Sequence, residues 1–471
     1  MIRTLTLILI AGLLCLSCAT SQQSNDESDI DLLITGGQVV TISGPDIPVG
    51  SVAVRQGQIV AVGPSSEIDS RYRARKIIHA GGQVVLPGFV NAHTHAPMTL
   101  FRGIADDRDL MDWLQSFIFP AEARNVDREF VRWGTRLAAA EMIRSGTTTF
   151  ADMYYFEQDM ADVLKPIGLR AVLGQTVIDF PAPDYKTWDA AMAGFRQFAA
   201  AYRNDPLIVP AIAPHSPYTV SRQHLQEVRR LATELGVPIL IHLSETSDEL
   251  KTVAERSGGL RPAQYLDSIG FLADDVIAAH GIWLSSEEID LLARAKVGVV
   301  HCPESNMMLA SGVAPVIEMR ARGVEVGLGT DGPAGSNNNL DMIEEMASAA
   351  RLQKITRKDP KSISARSVLE MATIGGARAL GLADKIGTLE PGKRADIAII
   401  DLSRPRTQPI YSLASAIVYS ASGSDVVTTI VDGRILMENR KILVLDETEL
   451  VRQAGIYRDR ILRSLGPSAT Q

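Results

Sequence analysis

Between about residue 88 and residue 384 the chain alternates short apolar runs with segments whose apolar residues recur at helical spacing. Val84–His93 reads as a first strand, closing on Asn91-Ala-His-Thr-His95. Helical spacing over Arg128–Ser145 stops at Gly146, and Thr147–Phe150 follows as a strand. The pairing then repeats. Asp159–Ile167 precedes Leu169–Gln175, Trp188–Arg203 precedes Leu207–Ala213, and Ser221–Leu235 precedes Val237–Leu243. Ala263–Ile269 precedes Val276–His280, Ser285–Ala295 precedes Gly298–Cys302, and Ala314–Arg322 precedes Val324–Thr330. Eight strand-like segments over about 300 residues are what a (β/α)8 TIM-like barrel requires. A doubly wound sheet would alternate too, but near-even spacing and the strand count favour the barrel.

The two ends have a different texture. Asp31–Thr41 and Ser51–Val62 each read as strand, glycine turn and strand, and Ile77–Leu86 adds extended chain. Near the other end, turn-rich Lys385–Arg394 leads into strand-forming Ala395–Asp401, and Val427–Met437 reads as a hairpin around Asp432-Gly433. β-rich ends around a different middle suggest one small β-sandwich domain built from residues 31–87 and 385–449. Two separate β-domains would show the same pattern. The barrel then occupies 88–384, and 450–471 forms a C-terminal helical tail.

Composition bounds the chemistry. Of 471 residues, 46% are hydrophobic and 22% charged, which are globular values that leave room for a large core. A net charge of -8 without a long basic run argues against a nucleic-acid partner. Arg3 followed by apolar Leu5–Leu16 has signal-peptide length and is short for a membrane span. Leu14-Cys-Leu-Ser-Cys18, followed by a polar stretch, resembles a bacterial lipoprotein signal. The expectation is a signal peptide over 1–17, lipid on Cys18, a tether over 18–30, and export to the periplasmic side of the envelope with a membrane contact through that lipid. Outside the leader the remaining cysteine is Cys302, so neither an intrachain disulfide nor a thiolate metal cluster is available.

Barrel active sites collect at the C-terminal ends of strands, and six of the eight histidines fall at such ends. His93 and His95 close the first strand, two apart and so on one side of extended chain. His215, His242, His280 and His301 end later strands, Glu245 lies three residues past His242, and Asp331 follows the last strand. The physical reading is one divalent ion held by His93, His95, His242 and Asp331, with water completing the shell. Such an ion acidifies water. Glu245 would shuttle protons beside it, and His280 would orient the water or a ligand. No lysine at a strand end offers a bridge for a second metal.

The chain also resembles the amidohydrolase superfamily, most closely the methylthioadenosine/S-adenosylhomocysteine deaminase group with its chlorohydrolase-like relatives. The likeness runs through Leu86–Gly103, Asp106, Trp113, Pro120-Ala-Glu122, Ala213–Tyr218, Ile241–Thr246, His301–Asn306, Leu328–Gly332 and Asn338–Met342, and ends in Glu390–Asp396. It implies zinc, or iron in some relatives, on His93, His95, His242 and Asp331, with Glu245 protonating a purine ring nitrogen and His280 and Asp331 assisting the water. It further implies that Trp113 lines the adenine or thioether region, Glu122 takes the ribose hydroxyls, His215 touches the nucleoside, and Asn306 faces the substrate. Gln175 stands where members handling adenosylhomocysteine often carry arginine, Met308 stands where lysine is usual, and the loop Gly332–Asn337 is a residue or two longer. The expected activity is an aminohydrolase acting on the cyclic amidine of a purine nucleoside, with a homo-oligomer allowed. The alternatives are hydrolysis of an amino- or chloro-substituted N-heterocycle such as a triazine or guanine, and a non-catalytic binding lipoprotein.

Overall fold

The computed structural model describes residues 28–465, so the expected leader, the lipidated Cys18 and most of the tether lie outside the described residues. Among the described residues no helix is long and apolar enough to cross a membrane. Eight parallel strands follow one another around a barrel: Phe89–Thr94, Thr147–Tyr154, Arg170–Val177, Ile208–Pro214, Ile239–Leu243, Val276–His280, Gly298–His301 and Val326–Leu328. Almost every residue in them is buried, as expected where helices cover the outside and side chains fill the inside. Closure comes just past the last strand, where the Asp331 amide donates to the His93 carbonyl at 2.9 Å. The barrel mouth is thereby built at the seam.

Local chemistry starts and stops the outer helices. Asp127, Thr187, Ser221, Thr246 and Ser285 cap the helices that follow them by accepting a backbone N–H three residues on. Gly168, Gly236 and Gly258 end helices at positive φ.

The terminal segments form one hydrogen-bonded sheet of nine strands. Ile397–Ile400 pairs antiparallel with Val84–Pro87 on one side and Val426–Val431 on the other, so the second part of the chain completes the first. Leu32, Val52, Ile59, Val85, Ile397 and Ile430 share one apolar cluster, drawn from both ends. The first expected strand, Val84–His93, is corrected here: it is two strands in two sheets. Val84–Pro87 belongs to the terminal sheet, and Phe89–Thr94 to the barrel. Gly88 sits between them, where a Cβ would lie 2.1 Å from Thr148 Cγ2, so the close approach to the second strand admits only glycine. Both halves are fully buried, so their apolar pattern carries no mark of the change of sheet. A buried bidentate pair ties the two units: Arg170 Nε and Nη2 donate to Asp396 at 2.8 and 3.0 Å. The helix Glu447–Leu465 returns to the barrel through Glu447, which pairs with Arg144 at 2.6 Å.

Candidate active site

The first barrel strand delivers His93 and His95, the fifth His242, the sixth His280, and the seam Asp331. Their side chains converge at the C-terminal mouth. Asp331 Oδ1 lies 3.4 Å from His93 Nε2 and 3.2 Å from His95 Nε2, and His242 Nε2 lies 3.4 Å from His95 Nε2. His93, His95 and Asp331 form one group of mutually close ligand atoms, and His93, His242 and His280 a second. His280 therefore stands close enough to His93 and His242 to reach an ion held between them. Ser244, His280 and Asp331 all sit at positive φ (52°, 74° and 64°), the left-handed turns that swing the strand ends into the mouth.

The donor set fits a divalent cation. His95 Nδ1 lies 2.5 Å from the Met153 carbonyl and His242 Nδ1 lies 2.8 Å from the His215 carbonyl. A carbonyl only accepts, so both Nδ1 atoms carry a proton and both Nε2 atoms face the nest. His93 Nε2 is buried there with no hydrogen-bond partner. Burial holds His93 down at about 4, in the neutral form that binds metals. Burial works the same way on His95, but its bond to Asp331 and that carboxylate's field carry it up to about 9, so without a cation Nε2 also holds a proton against Asp331, in the place an ion would take. Asp331 is itself held well below the carboxylate range by His93 and His95 against the effect of burial. Three imidazoles and a carboxylate thus crowd one small volume with positive charge in demand.

Glu245 stands at the edge of the nest, buried, with its Oε2 3.8 Å from His280 Nε2. Burial first, and the Asp331 charge second, push its carboxyl up to about 8. Above the nest a pocket is walled by Leu110, Trp113, Leu114, Tyr154 and Tyr218. Glu122 and His215 line it as well. Trp113 is fixed by its indole N–H, which donates to the Ala334 carbonyl at 2.7 Å. Glu122 is 4% exposed, and burial raises it to about 7.

Two expected contacts fall elsewhere. Gln175 is buried with its amide donating to Asp184 at 2.7 Å, and it lies outside the pocket lining, because Thr176 is the neighbour that faces inward. Asn306 sits behind His280, its Oδ1 3.4 Å from Nδ1, and likewise does not face the pocket. His301, at the end of the seventh strand, is buried outside the pocket lining with both ring nitrogens unpartnered. Several residues that support the nest lie outside the expected ligand and substrate-contact set. Ser305 donates to Asp331 Oδ2 at 2.6 Å, and Asp152 accepts from the Thr94 hydroxyl at 2.6 Å and the Ala96 amide at 2.5 Å, bracketing His95. The second strand runs on to Tyr154, past the expected end at Phe150, so Asp152 obeys the same strand-end pattern. Glu249 accepts the amides of Ser244 and Glu245 at 2.9 and 2.8 Å and so sets the turn that aims Glu245.

Residues 84–436 match the amidohydrolase family, and the chain belongs to that family; its barrel mouth is that of a hydrolase with a metal-binding site. Among its relatives is a 5-methylthioadenosine/S-adenosylhomocysteine deaminase of Syntrophobacter fumaroxidans, 46% identical over 90% of this chain and 97% of that protein. A 5'-deoxyadenosine deaminase of Methanobrevibacter smithii is 46% identical over 86% and 92%. An adenosine deaminase from Xanthomonas campestris, solved with bound zinc, superposes with a TM-score of 0.91 at 42% identity, covering 93% of this chain and 99% of that one.

Proposed function

We propose that the chain is a metal-dependent hydrolytic deaminase of an aminated purine nucleoside. Glu245 carries the reading: a buried carboxyl held in its protonated range, beside a cation-binding nest and open to an apolar pocket. Removing an amine from an aromatic ring needs a nucleophile, a proton on the ring nitrogen and a proton on the departing ammonia. A divalent cation bound by His93, His95, His242 and Asp331, zinc in this proposal, makes water a competent nucleophile near neutral pH.

The protein's own groups do the rest. The Glu245 carboxyl gives its proton to the ring nitrogen, takes one from the attacking water and passes it to the leaving amine, then recovers the water's second proton as the ring C–N bond breaks, so the products are ammonia and the oxo ring and the carboxyl is restored. His280 Nε2, close to Glu245 and to the nest, holds the water's line of approach. Asp331 accepts a hydrogen bond from the water. Trp113 and Leu110 bound the ring, and Glu122 receives the ribose hydroxyls. Ammonia release from metal-loaded protein, tested with adenosine, 5'-deoxyadenosine, 5-methylthioadenosine and S-adenosylhomocysteine, checks the reading. Turnover of at least one is expected, and none from any of the four would overturn it. An exported location with lipid on Cys18 is part of the same proposal. Mass spectrometry of the mature N-terminus should find acyl mass there, and an unacylated start elsewhere would overturn it.

A further inference from the structure

The reacting end of the pocket is closed by the nest, so the part of a substrate remote from its amine must extend outward. Leu114, Phe119, His215 and Tyr218 line the pocket and also a second chamber of about 310 Å³ beyond it. Part of that chamber is apolar, with Met111 and Phe180 contributing surfaces that are 39% and 43% exposed. The rest comes from the helix Ser247–Ser257, whose Asp248, Thr252 and Arg256 recur every four residues and share one face.

Its charges are unequally committed. Glu249 is turned onto the amides of Ser244 and Glu245, and Asp248 pairs with Lys251 at 3.1 Å. Arg256 donates from Nη1 to the Tyr218 carbonyl at 2.5 Å, and no carboxylate among the described residues pairs with its guanidinium. It is the one guanidinium or ammonium lining either chamber. On the far side, Gln175 is spent on Asp184, and Lys186 on the carbonyls of Ala182 and Pro183.

We propose that Arg256 binds a carboxylate at the remote end of the substrate, selecting nucleosides whose 5′ thioether ends in an amino-acid group; this rests on the nucleoside-deaminase reading above. The bond to Tyr218 uses one of five N–H donors and fixes the side chain against the wall, leaving the planar fork free for two carboxylate oxygens. Met111 and Phe180 supply the polarisable and aromatic surface that a thioether packs on.

The test is kcat/KM by ammonia release for S-adenosylhomocysteine and 5-methylthioadenosine, in the zinc-loaded wild type, Arg256→Ala and Arg256→Lys. The ratio of the two constants should fall about tenfold in Arg256→Ala, the size of one charged hydrogen-bonded contact at a partly open site, and recover in part in Arg256→Lys. A fall common to both substrates, with the ratio unchanged, would overturn the assignment. So would a wild type that deaminates 5-methylthioadenosine but not S-adenosylhomocysteine, a result that leaves the deaminase reading standing. A wild type silent on every nucleoside would overturn both.

Discussion

Gly329 shows how tightly barrel closure and metal binding are joined. It lies two residues before Asp331, and a Cβ built on it would sit 2.7 Å from His93 N, 2.8 Å from His93 Cβ and 2.9 Å from the His93 carbonyl oxygen. Non-bonded carbon contacts settle near ~3.5–4.0 Å, so Gly329→Ala must open the seam by roughly 0.7 Å or more. Backbone stands on both sides of the contact, which leaves no flexible side chain to absorb the shift. The Asp331 amide bond to the His93 carbonyl, now 2.9 Å, lengthens beyond useful range, and the Asp331 carboxylate moves away from His93 Nε2. Overpacking of this kind costs about 1–3 kcal/mol of stability. Displacing a ligand's support costs about 10- to 100-fold in metal affinity. Chelator competition measures the affinity, with Gly455→Ala as control, since a Cβ at Gly455 meets nothing within 4 Å. A folded Gly329→Ala protein that binds metal as tightly as the control would refute the argument.

Other perturbations separate chemistry, support and interface. Glu245→Gln removes the proton carrier but no predicted ligand, so kcat should drop about 10²- to 10⁴-fold while metal content stays near wild type; an unchanged rate would remove Glu245 from the mechanism. Arg170→Ala leaves Asp396 charged and buried between barrel and sheet, and should cost about 3–5 kcal/mol in denaturant unfolding, far more than an exposed arginine would. Burial raises Glu249 to about 8, above an unfolded glutamate. Its stabilising contribution is therefore complete at acid pH and is lost as pH rises through that value, so thermal melts at pH 5 and pH 8.5 should differ less in Glu249→Gln than in wild type.

The strand-end histidines were legible because barrel geometry turns a one-dimensional pattern into a three-dimensional one. His93 and His242 are 149 residues apart yet meet, since each ends a strand at the same mouth. Glu122 was harder to place, because a helix residue after Pro120 looks solvent-facing until the insertion between the first strand and its helix is seen packed over the pocket. Ser305 lies inside the matching stretch His301–Asn306, but its bond to Asp331 is set by how the helix after that strand sits at the mouth, and Arg256 sits in no pattern at all. The change of sheet at Gly88 falls at the expected domain boundary, but two buried strands in different sheets still read as one apolar run, so Val84–His93 looked like a single strand. Gln175 shows the limit of residue-by-residue likeness, as a one-position difference on a strand turns a side chain from pocket to wall.

Metal content of the purified full-length protein, read by elemental analysis before and after chelation and again after adding zinc, bears most directly on the nest at the seam. One equivalent of divalent transition metal per chain is expected, removable and restorable in wild type and not restorable in Asp331→Ala. Wild-type protein that takes up no metal on reconstitution, or Asp331→Ala protein that binds a full equivalent as tightly, would contradict it.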